Sequence, residues 1–418
     1  MTARALLGAL SLAVVGLLLV GTVPAAAQTA AELCYSNSAT ADQTIASCTQ
    51  LIGSGTLSGA DLANAYCDRG IGYQHKGQDD LAIADYTQAL QIDPNNALAY
   101  YGRGLSYRHK GQDDLAIADY SLALRITPTY VDALYNRGLS FTYKTQFDLA
   151  IVDYTHALQI DPNYTNAYFG RGYAYQNESR YDLAVADYTE ALRIDPNYTD
   201  VYNNRGRVYR YMGQDDLALA DYTQALRIDP NFILAYTGRG NVYQDQGRTD
   251  LALADYTQAL SVNPNYTVAY ADRGAALLGL GRFAEAGQDF AHAVSLDHAD
   301  AYAVLWLHVT RMRAGVDDAG ELAANAAPLD PTKWPGPVLD FYAGKTNAAQ
   351  MLAIAAKGDQ LCEGQFYLAE WQLAHQQGDL ARTGFQQASR SCPMWYLEYN
   401  TARAELRRLT ASPQPAHP

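Results

Sequence analysis

The pair Arg-Gly returns at Arg69, Arg103, Arg137, Arg171, Arg205, Arg239 and Arg273, each 34 residues after the one before. The rest of the unit is equally regular. An Ala stands twelve residues after each Gly, from Ala82 to Ala286. An aromatic follows four residues later (Tyr86, Tyr120, Tyr154, Tyr188, Tyr222, Tyr256, Phe290), and three beyond it another Ala, from Ala89 to Ala293. Pro94, Pro128, Pro162, Pro196, Pro230 and Pro264 close six of the seven units. Within a unit, apolar residues recur at three- and four-residue intervals. This predicts two short amphipathic helices divided by a turn such as Gly77-Gln78-Asp79-Asp80. The small Gly and Ala let the two backbones approach, the Tyr ring fills the space beside them, and Pro stops the second helix. One unit of this kind cannot bury its apolar face, so the chain must stack its units into a solenoid.

This spacing resembles the tetratricopeptide repeat (TPR), with the small residue at position 8, Ala at 20, aromatic at 24, Ala at 27 and Pro at 32. Arg at position 7 departs from the family, where Leu is usual. The resemblance implies an all-α fold: a right-handed superhelix of seven helix-turn-helix repeats over residues 63–300, with capping helices. It also implies a concave groove lined by positions 2, 5, 9, 12 and 13 of each first helix. Carried onto this sequence, the groove residues are Tyr101, Tyr135, Phe169 and Tyr173, followed by Asn203, Arg207, Arg210 and Asn241. An extended peptide is expected there, apolar side chains over the aromatics and an acidic group or C-terminus over Arg207 and Arg210. Arg at position 7 and Asp at position 23, from Asp85 to Asp289, occur in every unit. A residue present in every copy cannot mark one ligand end, so these predict a structural ladder of charge pairs.

Ahead of the repeats, Arg4, the apolar run Leu6 to Val20 and the small residues Ala25-Ala26-Ala27 form a tripartite leader. Residues 1–27 are therefore expected to be a Sec-type signal peptide, cleaved after Ala27, and no Cys follows to take a lipid. The mature chain is expected to be periplasmic or secreted, with no membrane span. A net charge of −14 argues against nucleic acid or anionic membrane as a partner. Residues 28–62 read as a worn capping repeat. Ile45-Ala46-Ser47-Cys48-Thr49-Gln50 echoes Ile83-Ala84-Asp85-Tyr86-Thr87-Gln88, which sets Cys48 opposite Cys34 and makes a Cys34–Cys48 bridge the expectation. Cys67, at a position 5, is then free; the competing pattern links it to Cys34 or Cys48.

Beyond residue 300 the period ends. Residues 301–361 read as a helical connector. A degenerate repeat and a capping helix occupy 362–410, and 411–418 is a Pro-rich tail expected to be disordered. An antiparallel hairpin would bring Cys362 and Cys392 together. Trp395, Tyr399, Ala402, Leu406 and Leu409 form one apolar face of the last helix, with Arg403, Glu405, Arg407 and Arg408 expected outside. Leu305-Trp306-Leu307, Asp340-Phe341-Tyr342-Ala343-Gly344, and Phe366-Tyr367-Leu368-Ala369 before Gly378-Asp379 resemble the NlpI family. Those envelope TPR lipoproteins are adaptors that present cell-wall hydrolases to a processing protease. The absent lipid-site Cys departs from them.

The sequence holds no His-Glu-x-x-His, Cys-x-x-Cys or Gly-x-Ser-x-Gly, and its eight His form no cluster. The expectation is a protein that is not an enzyme, without metal or cofactor. It is a scaffold that holds extended segments of other envelope proteins. The alternative is a self-associating solenoid, a homo-oligomer without a peptide ligand.

Overall fold

A computed structural model describes residues 25–36, 38–355 and 359–411. Most of the expected leader (1–24) and the tail (412–418) lie outside the described residues. Every regular element among the described residues is a helix. The chain divides into two compact units, Met1–Ala167 and Tyr168–Pro418.

In the first unit a helical hairpin, Ala25–Cys34 and Ala41–Gly53, precedes the repeats. Thr40 and Gln43 start its second helix as a reciprocal capping box. Cys34 and Cys48 are joined by a disulfide, with Cα atoms 4.8 Å apart. The free Cys67 is buried, and burial above all, with Asp68 next, pushes its thiol up to about 12. Such a thiol is unreactive at neutral pH.

Repeats 1 to 3 follow as Gly59–His75 with Asp79–Ile92, Ala97–His109 with Asp113–Ile126, and Val131–Tyr143 with Phe147–Ile160. Their shape follows from one fit. Tyr86, Tyr120 and Tyr154 are wholly buried, and a Cβ placed on Gly104 would lie 2.7 Å from the Tyr120 ring. Only Gly leaves room for that ring, which explains why Gly and Tyr recur together. Each position-7 Arg forks onto its Asp sixteen residues on; in repeat 1, Arg69 Nε and Nη2 donate to the two oxygens of Asp85, both at 2.7 Å. The remaining Nη1 reaches back to the repeat before, as from Arg103 to Thr87 (3.1 Å) and from Arg137 to Ser121 (2.9 Å). The Asp residues are buried while the Arg side chains stay partly exposed.

In the turn between the two helices, Gly77 and Gly111 take left-handed backbone (φ 66° and 69°). Repeat 3 places Thr145 there at φ 56°, a conformation costly for a β-branched residue.

The second unit holds the rest of repeat 4 (Thr165–Asn177, Tyr181–Ile194) and repeats 5 to 7: Thr199–Tyr211 with Asp215–Ile228, Ile233–Asp245 with Thr249–Val262, and Thr267–Gly279 with Phe283–Leu296. Their Arg–Asp forks are the same, with Arg205, Arg239 and Arg273 also reaching Thr189, Thr223 and Thr257. Ser179 stands at the turn of repeat 4 with φ 58°.

Beyond repeat 7 run Ala301–Arg313, three short helices, the hairpin Gln360–Ala374 and Gly378–Ser391, and a last helix, Leu397–Ala411. They share one core centred on buried Trp306, which stacks on Phe290 of repeat 7 (5.7 Å) and meets Phe366 (5.3 Å) and Tyr367 (5.7 Å). Cys362 and Cys392 are bonded across the hairpin.

The last helix does not cap an end with a polar outer face. It lies along the first helix of repeat 7, where a Cβ on Gly279 would come within 2.7 Å of Ala404. Glu405, expected outside, is fully buried, because Arg313 from the helix Ala301–Arg313 reaches it at 3.4 Å and Arg408 also donates to it. Of the four charged residues expected outside, only Arg407 is exposed.

Candidate peptide-binding surface

The expected groove residues are half-buried in a ladder of aromatic contacts. In the first unit the Tyr101 ring lies 5.9 Å from Tyr120 and 4.8 Å from Tyr130. Its hydroxyl accepts from Asn136 Nδ2 at 3.2 Å. Tyr135 repeats the arrangement, 5.9 Å from Tyr154 and edge-on to Tyr164 at 5.4 Å. Burial raises both phenols; for Tyr135, Arg108 works against it. These rings thus present a partly exposed edge from a fixed position, which is what a hot spot requires.

Arg108 stands at position 12, one of the positions expected to line the groove, but was not singled out as a ligand contact. Its charge acts on Tyr101, Tyr120 and Tyr135 alike. Its buried Nε has no hydrogen-bond partner among the described residues. The sequence carried a signal for it, since Arg210 occupies the same position three repeats later. On the same turn of repeat 3, Tyr143 is 66% exposed. Together, Tyr101, Tyr135, Tyr143 and Arg108 give the first unit an aromatic surface with one cation whose Nε is unsatisfied.

The second unit differs. Phe169 packs on Tyr188 and Tyr198 (6.1 and 5.4 Å) and Tyr173 is half-buried, so these aromatics behave like those of the first unit. The polar residues do not lie open. Asn203 is buried, and Asn241 accepts from Tyr256 at 2.7 Å. Arg207 donates to Asn204 at 2.6 Å. Gln176, in the amide orientation that satisfies both its groups, accepts from Arg207 at 2.8 Å and donates to Tyr188.

Arg210 is the clearest correction. Its side chain is 9% exposed, and its Nε donates to Asp245 of repeat 6 at 2.6 Å. Asn400 of the last helix donates to the same carboxylate at 2.8 Å, and Arg403 reaches the Asp245 carbonyl at 3.4 Å. Trp395 meets Tyr211 edge-on at 5.2 Å. The expected cationic pair is therefore consumed inside the fold. An acid 35 residues on and the chain's own C-terminal segment hold the place given to a ligand.

Family comparison agrees with the geometry. Models described as "TPR repeat" match residues 63–108, 104–144, 139–179 and 206–247. Models described as "Tetratricopeptide repeat" match 165–198, 233–266 and 187–220. Among solved structures, a tetratricopeptide repeat protein from Parabacteroides merdae is 21% identical with a TM-score of 0.50, covering 59% of this chain and 98% of that one. YrrB, described as a TPR protein with an unusual peptide-binding site, is 28% identical over 45% of this chain and 95% of its own, at a TM-score of 0.40. MamA is 28% identical over 38% and 94%, at 0.37. No curated protein matches the chain, and the family models that match are those of the repeat alone. Residues 63–266 of this chain are tetratricopeptide repeats, and its fold is that of a TPR solenoid.

Proposed function

We propose that the protein is a non-catalytic scaffold of the periplasm that holds an extended peptide on the aromatic surface of repeats 2 and 3. One observation carries this reading: Tyr101 and Tyr135 are fixed by their neighbours yet keep an open edge, beside Arg108, whose buried Nε has no hydrogen-bond partner. Rigid aromatics give contact area at small entropic cost, and a guanidinium suits a carboxylate or C-terminus. The leader in the sequence and the two cystines fit an exported protein, and none of the described helices is long and apolar enough to cross a membrane. An adaptor that brings a cell-wall hydrolase to a protease is the finer form of this reading.

The test is affinity capture from periplasm with the mature chain, followed by titration of the captured protein. Tyr135→Ala should weaken binding by more than about 1 kcal/mol, and Arg108→Gln should cost more at low salt than at high. N-terminal sequencing should return Gln28. If both variants bind like wild type, the surface is not the site. A second reading, self-association, is favoured by Leu81, Leu115 and Leu149, each about half exposed at the same place in successive repeats. It predicts a mass that rises with concentration.

A further inference from the structure

In the second unit a cavity of about 340 Å³ lies among the first helix of repeat 7, the helix Ala301–Arg313 and the start of the last helix. That volume falls in the range of small-ligand sites. Its lining is unusual in charge. Asp272, Asp300, Glu363 and Glu398 contribute carboxylates, and no Lys, Arg or His is among the described lining residues.

Most of these acids have partners that account for them. Asp300 caps the helix Ala301–Arg313 by accepting from the backbone of Tyr302 and Ala303. Glu363 accepts from Tyr302 Oη at 2.9 Å and Trp334 Nε1 at 2.7 Å. Glu398 accepts from Tyr367. Asp272 is only partly accounted for: Asn241 hydrogen-bonds its carboxylate, but the residue is 9% exposed and its Oδ2 has no hydrogen-bond partner among the described residues. Leaving a buried carboxylate oxygen unpaired is costly unless a cation or a proton reaches it.

Aromatic rings complete the lining: Trp306 within, and Tyr302 and Trp395, which are 38% and 51% exposed and so leave the cavity reachable. Ring faces attract organic cations, most strongly when the site is desolvated. Carboxylates and aromatic faces together suit an ammonium on an alkyl chain, whose methylenes the rings can cover.

We propose that this cavity is a binding site for a primary alkylammonium group, paired with Asp272 and Glu398 and covered by Trp395 and Tyr302. The chemistry is shared by a lysine side chain of a polypeptide and by a free diamine. The acid charges support the assignment. Burial is the main cause that pushes Asp272 up to about 7, with Arg210 and Asn241 opposing it. Burial, then Glu363, pushes Glu398 up to about 7. Both acids are therefore poised to release a proton when an ammonium enters. The site does not rest on the surface of repeats 2 and 3.

The experiment titrates the full mature chain, by calorimetry and tryptophan fluorescence, with three probes: acetyl-Ala-Lys-Ala-amide, cadaverine, and the neutral acetyl-Ala-norleucine-Ala-amide. At least one cationic probe should bind at least about tenfold tighter than the neutral peptide, the gain of one desolvated charge contact. Tighter binding of the peptide identifies a polypeptide side chain as the source, and tighter cadaverine a free diamine. Asp272→Asn should remove the preference, and Trp395→Ala, a change at an exposed residue, should weaken the cation by about threefold or more. If Asp272→Asn fails to fold, Trp395→Ala decides. The proposal is overturned if the neutral peptide binds as well as the cations, if no probe binds, or if the folded variants bind like wild type.

Discussion

Asp153 in repeat 3 and Glu405 in the last helix are both buried carboxylates met by a guanidinium, yet the two settings differ. Asp153 is forked by Arg137, which keeps 23% of its side chain exposed and also donates to Ser121. Each charge is satisfied, and water still reaches the base. Around Glu405, one buried Arg313 serves both Glu370 and Glu405, Arg408 assists, and Oε1 of each acid has no partner among the described residues. The repeats thus use a charge pair that costs little and can be copied. The C-terminal region uses a network that works once, in one place.

The largest test of that contrast is Arg313→Met. It leaves buried Glu370 without a base and Glu405 with Arg408 alone, and should cost about 3–5 kcal/mol in denaturant unfolding. Arg137→Met should cost less, about 1–3 kcal/mol, since Asp153 alone is left unpaired. Equal losses would erase the distinction.

Next comes the hairpin staple. Replacing Cys362 and Cys392 together by Ser should lower stability by about 3–4 kcal/mol in the chain-entropy account. The loss should fall on the C-terminal region, which hydrogen exchange would localise.

The third test is pH. Asp272 and Glu398 are raised from 3.8 and 4.5 to about 7. Between about pH 4 and 7 the folded state therefore holds protons that the unfolded chain has released. Their stabilising effect is complete below the unfolded values and is lost as pH rises through the folded ones, so stability should fall across that window. Asp272→Asn should flatten the slope, whereas Arg137→Met should leave it in place.

The smallest effect belongs to the turns. Thr145→Gly should stabilise repeat 3 by about 0.5–1 kcal/mol, as left-handed strain is relieved and chain entropy offsets part of the gain. A thermal shift on the same substitution at Ser179 should match it in sign.

The repeats were legible because their physics is local and periodic. A spacing of 34 sets Gly104 against Tyr120 and Arg103 against Asp119 without any knowledge of distant residues. What covers a helix face is a different matter. Asn400 meets Asp245 across 155 residues, and no period announces it. Arg207 and Arg210 therefore looked like an open cationic pair, and Arg108, at the same groove-lining position as Arg210, was not singled out. Position in the unit shows which way a side chain points, while its partners depend on the acid at Asp245 and on the last helix. The burial of Glu405 escaped for the same reason, since its base lies on a helix 92 residues away.

The backward reach of the position-7 arginines has one more consequence. In repeats 1 to 3, and again in repeats 5 to 7, each Arg takes its hydroxyl partner from the unit before it, and that partner is always Thr or Ser at one place. Each of these units thus presents the same plug, and each unit it reaches back to presents the same socket. A duplication or loss of 34 residues within either run would rejoin with its connections intact, so a gene built this way can lengthen or shorten its array by unequal crossing-over without a compensating mutation.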